Sequence, residues 1–316
     1  MKYFVGVDVG GMSIKAGVVA QDGKIICKKS VPTGVGRAYQ EIIADMATLC
    51  KDVVLDAGLG INDIQGIGIG IPGLADSSTG KAVYVTNMFW KDVPLVEELK
   101  KHVDTRIVIN NDANVATLAE AKFGSGKNAK NAIMLTLGTG VGGGIVIDGK
   151  ICEGNGSAGA ELGHTIICVD GEPCNCGRKG CFEAYASVTA LINQTKAAVQ
   201  NAPESIMFAE VGGDLSKISG KTAFAAAKKG DVVAQAVVDK YIRYVSEGVV
   251  NYINIFRPEV LIIGGGISAE GEYLLAPIKE FAAKYSYAGS FAPKVEIVCA
   301  TLGNDAGIIG AAALLM

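Results

Sequence analysis

One histidine and three cysteines within eighteen residues form a potential set of metal ligands. The four side chains are His164, Cys174, Cys176 and Cys181. Thiolate and imidazole together suit Zn²⁺, which prefers four such ligands in a tetrahedron. Four protein ligands leave no open position for a reacting water, so we expect a structural zinc.

Two alternatives remain for these cysteines, a disulfide cluster or reduced residues in a protein core. The sequence after Met1 has no signal-peptide pattern, which favours a reducing cytoplasm. In that compartment, such a spacing is more typical of a metal site. Glu161 and Glu183 flank the four ligands, so a metal would fix the loop that carries two carboxylates.

A second polar cluster follows residues 106–109, which we predict to be a strand. It reads Asn-Asn-Asp-Ala-Asn from Asn110 to Asn114, and a predicted helix follows. A carboxylate at the C-terminal end of a strand lies where open α/β sheets bind ligands. Asp112 is therefore a candidate general base for an alcohol, and Asn111 a candidate partner of a neighbouring hydroxyl. The alternative is that one of these side chains only caps the helix.

Three glycine-rich segments follow predicted strands. The first two are hairpin turns whose bare backbone N–H groups can bind phosphate oxygens, and the third follows a buried strand and lets a flat ligand approach the backbone closely. Asp8, which ends the strand before the first segment, is a candidate to hold Mg²⁺ through water. Ordinary turns are the alternative for each segment taken alone. The three segments are Gly10, Gly11, Met12 and Ser13; Gly138, Thr139 and Gly140; and Gly264, Gly265 and Gly266.

Two nucleotide motifs are matched only in part. Gly138, Gly140 and Gly143 have the spacing of the dinucleotide fingerprint, but a strand is predicted after them where that fingerprint requires a helix. Residues 220–222 read Gly-Lys-Thr like the end of a P-loop, but Leu215 stands where that loop requires glycine. We therefore exclude both sites.

A weak internal repeat organises the chain. Residues 3–24 and 132–150 both read strand, glycine turn, strand and Asp-Gly-Lys, which predicts two related lobes that each begin with a β-hairpin. Continuous apolar strands such as Val260–Ile263 imply a sheet covered on both faces, so the class is α/β. The expected lobes are a small one, 1–114 with a C-terminal helix at 304–316, and a large one, 115–303.

Composition limits the function. The chain has 316 residues, of which 49% are hydrophobic, enough to bury a large core. Its net charge is −3 and it has no basic run, which argues against a nucleic-acid partner. The longest apolar stretch, Ala306–Met316, is too short to span a bilayer. We therefore expect a cytoplasmic protein with no membrane partner.

Several motifs together resemble the ROK family (repressors, open reading frames, kinases). The resemblance covers residues 6 to 310, and it implies the two-lobed actin-like ATPase (RNase H-like) fold with a catalytic cleft between the lobes. The motifs are Asp8–Lys15, Gly70–Gly73, Asn111–Asn114, Leu137–Gly144, Ala158–His164 and the cysteine segment 174–181.

The resemblance implies an ATP-dependent hexose kinase, in first place a glucokinase, with Asp112 as the catalytic base. ATP with Mg²⁺ would bind at the three glycine segments. Apart from the resemblance, Asn87 and Trp90 are candidates for a sugar-facing edge or simply for a core anchor. The residues assigned to the sugar are Gly73, Asn87, Asn111, Asp112, Glu161, His164 and Glu183.

The alternatives are another hexose, such as N-acetylmannosamine, fructose or allose, and a non-catalytic sugar-responsive regulator of the same family. The regulator requires an N-terminal helix-turn-helix, whereas the first predicted strand begins at Tyr3. One residue departs from the family pattern, since Met12 stands where the family usually has threonine. For the assembly we expect a homodimer or a dimer of dimers.

Overall fold

The computed structural model describes residues 1–126 and 128–316. The chain is α/β and forms two compact units. Unit 1 consists of Met1–Ala132, Gly144–Ala160 and Thr301–Met316, and unit 2 of Ile133–Gly143 and Glu161–Ala300. These bounds differ from those of the expected lobes, because residues 115–132 and 144–160 belong to unit 1 and not to the large lobe.

Unit 1 is built on a five-stranded sheet in the order β3-β2-β1-β4-β8, numbered along the chain. The strands are β1 (Tyr3–Val9), β2 (Ser13–Ala20), β3 (Ile25–Pro32), β4 (Ile64–Ile71) and β8 (Ile107–Asn111). Strand β1 is antiparallel to β2 but parallel to β4, and β4 is parallel to β8. The carboxyl ends of β1, β4 and β8 therefore meet at one edge, where Asp8 is paired with Gly70, and Ile71 with Asn111.

Helices cover both faces of this sheet, which explains why β1, β2 and β4 are largely apolar and buried, whereas the edge strand β3 is mostly exposed. The helices are α1 (Tyr39–Asp56), α3 (Asp112–Phe123) and α10 (Ala306–Ala313). Val5 and Val7 pack in one core cluster with α1, whereas Phe4 packs with Ile308 of α10. A Cβ at Gly6 would lie 1.8 Å from the Ile308 carbonyl oxygen, so the close approach of α10 requires glycine there.

Smaller elements complete unit 1. They are the sheet of β5 (Leu74–Asp76), β6 (Lys81–Val85) and β7 (Trp90–Val93), the helix α2 (Leu95–Lys100), and β11 (Lys150–Ile151). Trp90 is buried in the main core cluster, with its ring edge-on to Tyr39 at 6.5 Å between centroids. It therefore anchors the core, and the alternative position at the edge of the sugar site is wrong.

The second sheet has the order β11-β10-β9-β12-β13. Its strands include β9 (Ala132–Leu137), β10 (Val141–Ile147), β12 (Val260–Gly264) and β13 (Glu296–Cys299), and β10 continues from unit 2 into unit 1 after Gly143. The two sheets have the same arrangement. A hairpin (β1 and β2, or β9 and β10) is extended beside its second strand by the next strand, and beside its first strand by two later strands. The repeat predicted from the sequence is thus confirmed by the strand order.

Unit 2 also contains helices, which lie between its strands along the chain. They are α4 (Glu183–Ala186), α5 (Val188–Asn201), α6 (Ile206–Glu210), α7 (Thr222–Ala227), α8 (Val232–Phe256) and α9 (Glu272–Tyr285). From the sequence we predict helices over 188–200, 222–228 and 231–254, and α5, α7 and α8 match these ranges to within two residues. Helix α9 was not predicted, and it contains Pro277. Within the described part of the chain, no helix is long and apolar enough to cross a membrane.

Candidate active site

Asn111 ends β8 and caps helix α3. Its side-chain oxygen accepts hydrogen bonds from the backbone N–H groups of Ala113 at 2.9 Å and Asn114 at 3.2 Å. Its side-chain nitrogen donates to the carbonyl of Gly73 at 3.0 Å. Asn111 therefore caps helix α3, and its side chain also connects this segment to Gly73, another residue that was assigned to the sugar.

Asp112 is the first residue of α3 and lies at the carboxyl edge of the sheet. Burial raises its pKa above the ordinary value, and the negative charge of Asp8 acts in the same direction. The hydrogen bond from the N–H of Ala113 opposes this shift. A raised pKa makes the ionised carboxylate a stronger proton acceptor, which suits a general base.

A buried amide network positions this segment, and the sequence analysis missed it. The side-chain oxygen of Asn110 accepts hydrogen bonds from the N–H of Asn111 at 2.8 Å and from the Asn114 amide at 3.0 Å. The side-chain nitrogen of Asn110 donates to Glu153 at 2.9 Å. Glu153 also accepts from the hydroxyls of Ser77 at 2.6 Å and Ser157 at 2.7 Å. No local spacing in the sequence signals the contact of Glu153 with Asn110, because the two residues lie 43 positions apart along the chain.

The first glycine turn joins β1 to β2. Inside it, the N–H of Gly10 donates to the carbonyl of Ser13 at 3.0 Å. Thr33 donates its hydroxyl to the carbonyl of Gly10 at 2.6 Å and its N–H to the carbonyl of Met12 at 3.0 Å. Among the described residues, the N–H groups of Gly11 and Met12 have no protein partner. The turn therefore has bonded carbonyls and free donors.

Three predicted residues lie beside this turn. The Met12 side chain is 90% exposed. Asp8 has Lys15 at 3.4 Å, in a half-buried ion pair. A Cβ at Gly11 would lie 3.3 Å from the side-chain nitrogen of Asn87, which places exposed Asn87 against the turn.

The second glycine turn joins β9 to β10 in unit 2. Its carbonyls are also bonded, since Gly138 accepts from the N–H of Val188 at 2.8 Å and Thr139 from the Thr189 hydroxyl at 2.7 Å. The N–H groups of Thr139 and Gly140 have no partner within the described ranges.

The third glycine segment follows β12 and lies beside the second. A Cβ at Gly265 would lie 2.2 Å from the carbonyl oxygen of Leu137, so this contact requires glycine. At Gly264 a Cβ would meet the Met134 side chain at 2.5 Å, whereas at Gly266 it would meet no atom within 4 Å. Unit 2 thus brings together two of the three glycine segments that the resemblance assigns to ATP.

Glu183 begins α4 and faces the second turn. Its carboxylate accepts a hydrogen bond from the N–H of Val141 at 2.9 Å, and its other oxygen lies 3.7 Å from the Cys174 sulfur. A Cβ at Gly140 would lie 2.4 Å from this carboxylate. Glu183 therefore joins the cysteine loop to the glycine turn, a contact that the sequence analysis did not foresee.

The four predicted metal ligands come together in unit 2. The donor atoms of His164, Cys174, Cys176 and Cys181 all lie within 4.8 Å of one another. The Nδ1 atom of His164 lies 3.6 Å from the Cys174 sulfur, and the Cys176 and Cys181 sulfurs are 3.6 Å apart. All eight cysteines are free thiols, so the disulfide alternative is wrong. Nitrogen and sulfur donors at these separations fit a small tetrahedral cation such as Zn²⁺.

Glu161 precedes this cluster in unit 2. It is exposed, and within the described part of the chain its carboxylate makes no hydrogen bond. His164 is half-buried, and Nδ1 is the ring nitrogen that faces the Cys174 sulfur. Both residues follow Ala160, whose backbone has a positive φ of 62°.

Comparison with known proteins places these features in a family. The sequence pattern that describes the ROK family matches residues 4–316. The chain belongs to the ROK family. It is 37% identical to a glucokinase of Thermotoga maritima, over 98% of this chain and 96% of that relative.

Two solved structures are also similar to the chain. A ROK family glucokinase from Streptomyces griseus, in complex with glucose and AMPPNP, is 34% identical with a TM-score of 0.78, over 99% of this chain and 98% of that one. A ROK hexokinase from Thermus thermophilus is 29% identical with a TM-score of 0.83, over 98% and 96%. The ROK-family chain accordingly has the two-lobed actin-like ATPase fold that the motifs predicted.

Proposed function

We propose that this ROK-family protein is an ATP-dependent glucokinase, which converts D-glucose and ATP to glucose 6-phosphate and ADP. Identity to glucokinases over nearly the whole chain supports this activity. The relative from Streptomyces griseus, which binds glucose and an ATP analogue, supports both substrates.

The main support for the chemical step is the position of the Asp112 carboxylate, which is largely buried at the carboxyl edge of the sheet. We infer that it accepts the proton of the 6-hydroxyl group as that oxygen attacks the terminal phosphorus of ATP. The bond from this phosphorus to the bridging oxygen then breaks and ADP leaves. The pKa of Asp112 is raised by burial and by the charge of Asp8, which favours its role as the proton acceptor.

The nucleotide would bind at the three glycine segments. The free N–H groups of Gly11, Met12, Thr139 and Gly140 are suitable donors for phosphate oxygens. Mg²⁺ would neutralise phosphate charge in such a reaction, and Asp8 would hold it through water.

The sugar hydroxyls would be held by the polar groups that the family resemblance assigns to them. In unit 1 these are Asn111, Asn87 and the backbone of Gly73, and in unit 2 Glu161, His164 and Glu183. Each hydrogen bond between a sugar hydroxyl and a charged group contributes about 1.5–3 kcal/mol.

The cysteine cluster would hold a structural Zn²⁺. His164 would bind the metal through Nδ1, the nitrogen that faces the Cys174 sulfur. Its Nε2–H is then fixed as a donor and available to a sugar hydroxyl. The metal would thus fix the orientation of a substrate-binding side chain as well as the loop.

We also propose that the protein is cytoplasmic and forms a homodimer. Sedimentation of the purified protein would test the oligomeric state.

A coupled assay with ATP and a panel of glucose, N-acetylmannosamine, fructose and allose tests the function. We expect glucose to have the highest kcat/KM. A higher kcat/KM for another hexose would keep the kinase but change its substrate. No turnover of any hexose, although ATP and glucose both bind, would favour the non-catalytic regulator.

A further inference from the structure

Each glycine segment has a hydroxyl side chain bonded to one of its carbonyl groups. In unit 1, Thr33 donates to the carbonyl of Gly10 at 2.6 Å. In unit 2, Thr189 donates to the carbonyl of Thr139 at 2.7 Å, and Ser268 donates to that of Gly265 at 2.8 Å. The hydroxyl that bonds a hairpin turn comes from outside the turn in both hairpins.

These bonds matter because a turn presents two kinds of group. Carbonyl oxygens carry partial negative charge and repel phosphate, whereas N–H groups attract it. In both hairpin turns the threonine bonds a carbonyl, while neighbouring N–H groups have no partner among the described residues. A carbonyl held by a side-chain hydroxyl cannot rotate into the space that the N–H donors serve.

The second turn has three such attachments to a single segment. Residues 183–189 supply the Glu183 carboxylate for the N–H of Val141, the N–H of Val188 for the carbonyl of Gly138, and the Thr189 hydroxyl for Thr139. This segment begins two residues after Cys181, one of the four predicted metal ligands. Of the three attachments, only the Thr189 bond depends on an exposed side chain that has no assigned role in substrate or metal binding.

We propose that Thr33 and Thr189 are positioning residues for the phosphoryl donor. Their hydroxyls fix the two hairpin turns with carbonyls bonded and N–H groups open to the phosphates. The inference rests on the proposed kinase function, because it takes both turns as phosphate sites. It assigns a role to two threonines that lie outside the glycine motifs.

Direct titration of the full-length protein with ATP and Mg²⁺, without sugar, tests the proposal. Thr189→Val keeps the shape of the side chain but removes the hydroxyl. We expect its ATP Kd to rise about twofold to tenfold, the effect of one hydrogen bond. Thr189→Ser restores the hydroxyl and should bind ATP within about twofold of the wild type. Thr33→Val, compared with Thr33→Ser, repeats the test in the first turn.

Two controls separate phosphate positioning from general damage. Adenosine has no phosphate, so its Kd should be the same in Thr189→Val and the wild type. Thr48→Val removes a comparable exposed hydroxyl from α1, where it bonds the carbonyl of Ala44, and should change neither Kd.

Three results would overturn the proposal: an unchanged ATP Kd in Thr189→Val, an equal loss of adenosine binding, or a Thr189→Ser variant as weak as Thr189→Val. If the wild type binds ATP but phosphorylates no hexose, the proposed function fails while these titrations still decide the role of Thr189. A wild-type protein that binds no ATP would overturn both.

Discussion

The side-chain amide of Asn110 donates a hydrogen bond to Glu153 at 2.9 Å, although 43 residues separate them. Asn110 in turn accepts a hydrogen bond from the N–H of Asn111, the residue before the proposed base Asp112. Glu153 therefore orients the strand end that carries the base, without itself belonging to any recognised motif.

We expect Glu153→Ala to lower kcat with glucose while the KM for ATP stays unchanged. Displacement of a catalytic group by about 1 Å can reduce the rate roughly a hundredfold, which sets the upper limit of the effect. Glu153→Gln keeps an acceptor for Asn110 and should recover most of the activity. Ser77→Ala removes a bond to the other carboxylate oxygen and serves as the control. A lower melting temperature with unchanged kcat would mean that Glu153 is only structural.

Asp112→Asn should nearly abolish turnover and leave the fold intact. The amide keeps the size of the side chain but cannot accept the proton, and loss of a general base typically costs about 10²–10⁴ in rate. Steady-state kinetics with glucose and ATP measure this effect. A variant that retained most of the wild-type kcat would show that Asp112 has no role as a base.

The same substitution should stabilise the protein at neutral pH. Because the pKa of Asp112 is raised in the fold, its neutral form favours folding below the ordinary pKa, and this contribution is lost as pH rises through the raised pKa. At pH 7 the ionised carboxylate therefore opposes folding, and asparagine removes that cost. Urea unfolding at pH 7 should give a larger free energy of unfolding for Asp112→Asn, and a smaller one would contradict the raised pKa.

The charge of Asp8 should be visible in the titration of Asp112. Burial is the larger cause of the raised pKa and the Asp8 carboxylate adds to it. We expect Asp8→Asn to lower the pKa of Asp112, yet leave it above the ordinary 3.8 because burial remains. Carboxyl ¹³C NMR of the free protein measures this without relying on activity. Equal pKa values in both proteins would mean that Asp8 exerts no charge effect on the base.

The sequence predicted the elements whose signal is local. The hairpins around Gly10 and Gly138 follow from apolar runs interrupted by glycine, and the cap of α3 follows from the polar residues before it. The roles of Glu153 and Thr189 were not predicted, because their partners Asn110 and Thr139 are distant in sequence and only the fold brings them close. Helix α9 was not predicted for another reason. Pro277 lacks the N–H group that a residue in a helix interior donates, so it predicts a break, but the helix continues through it.

Met12→Thr should lower the KM for ATP and leave that for glucose unchanged. The exposed side chain lies on the first turn, whose free N–H groups are proposed to meet phosphate. One hydrogen bond from a hydroxyl to a charged phosphate contributes about 1.5–3 kcal/mol, part of which Ser13 can already supply. Met12→Val has nearly the shape of threonine but no hydroxyl, and should not reproduce the gain. If both variants behave alike, the effect comes from loss of methionine bulk.

Substitutions in the cysteine loop, residues 164–181, should show which side chains bind the metal and which bind the sugar. Purified protein should contain about one zinc per chain, because the sequence supplies one set of four ligands. Cys176→Ser removes a ligand and should lose zinc, glucose affinity and stability together. Cys168→Ser changes an exposed cysteine outside the ligand set and should keep all three. Elemental analysis and glucose titration on the same samples measure zinc and affinity.

The two glutamates complete this test. Glu183 lies 3.7 Å from the Cys174 sulfur but outside the four-atom cluster, so Glu183→Gln should retain zinc, as should Glu161→Gln. Each should weaken glucose binding about tenfold to a hundredfold, because each loses one charge-assisted hydrogen bond of about 1.5–3 kcal/mol. The amide oxygen introduced by Glu183→Gln can still accept from the N–H of Val141, so ATP affinity should change little. Loss of zinc in either glutamine variant, or normal glucose binding in Cys176→Ser, would show that the metal does not hold a sugar-binding loop.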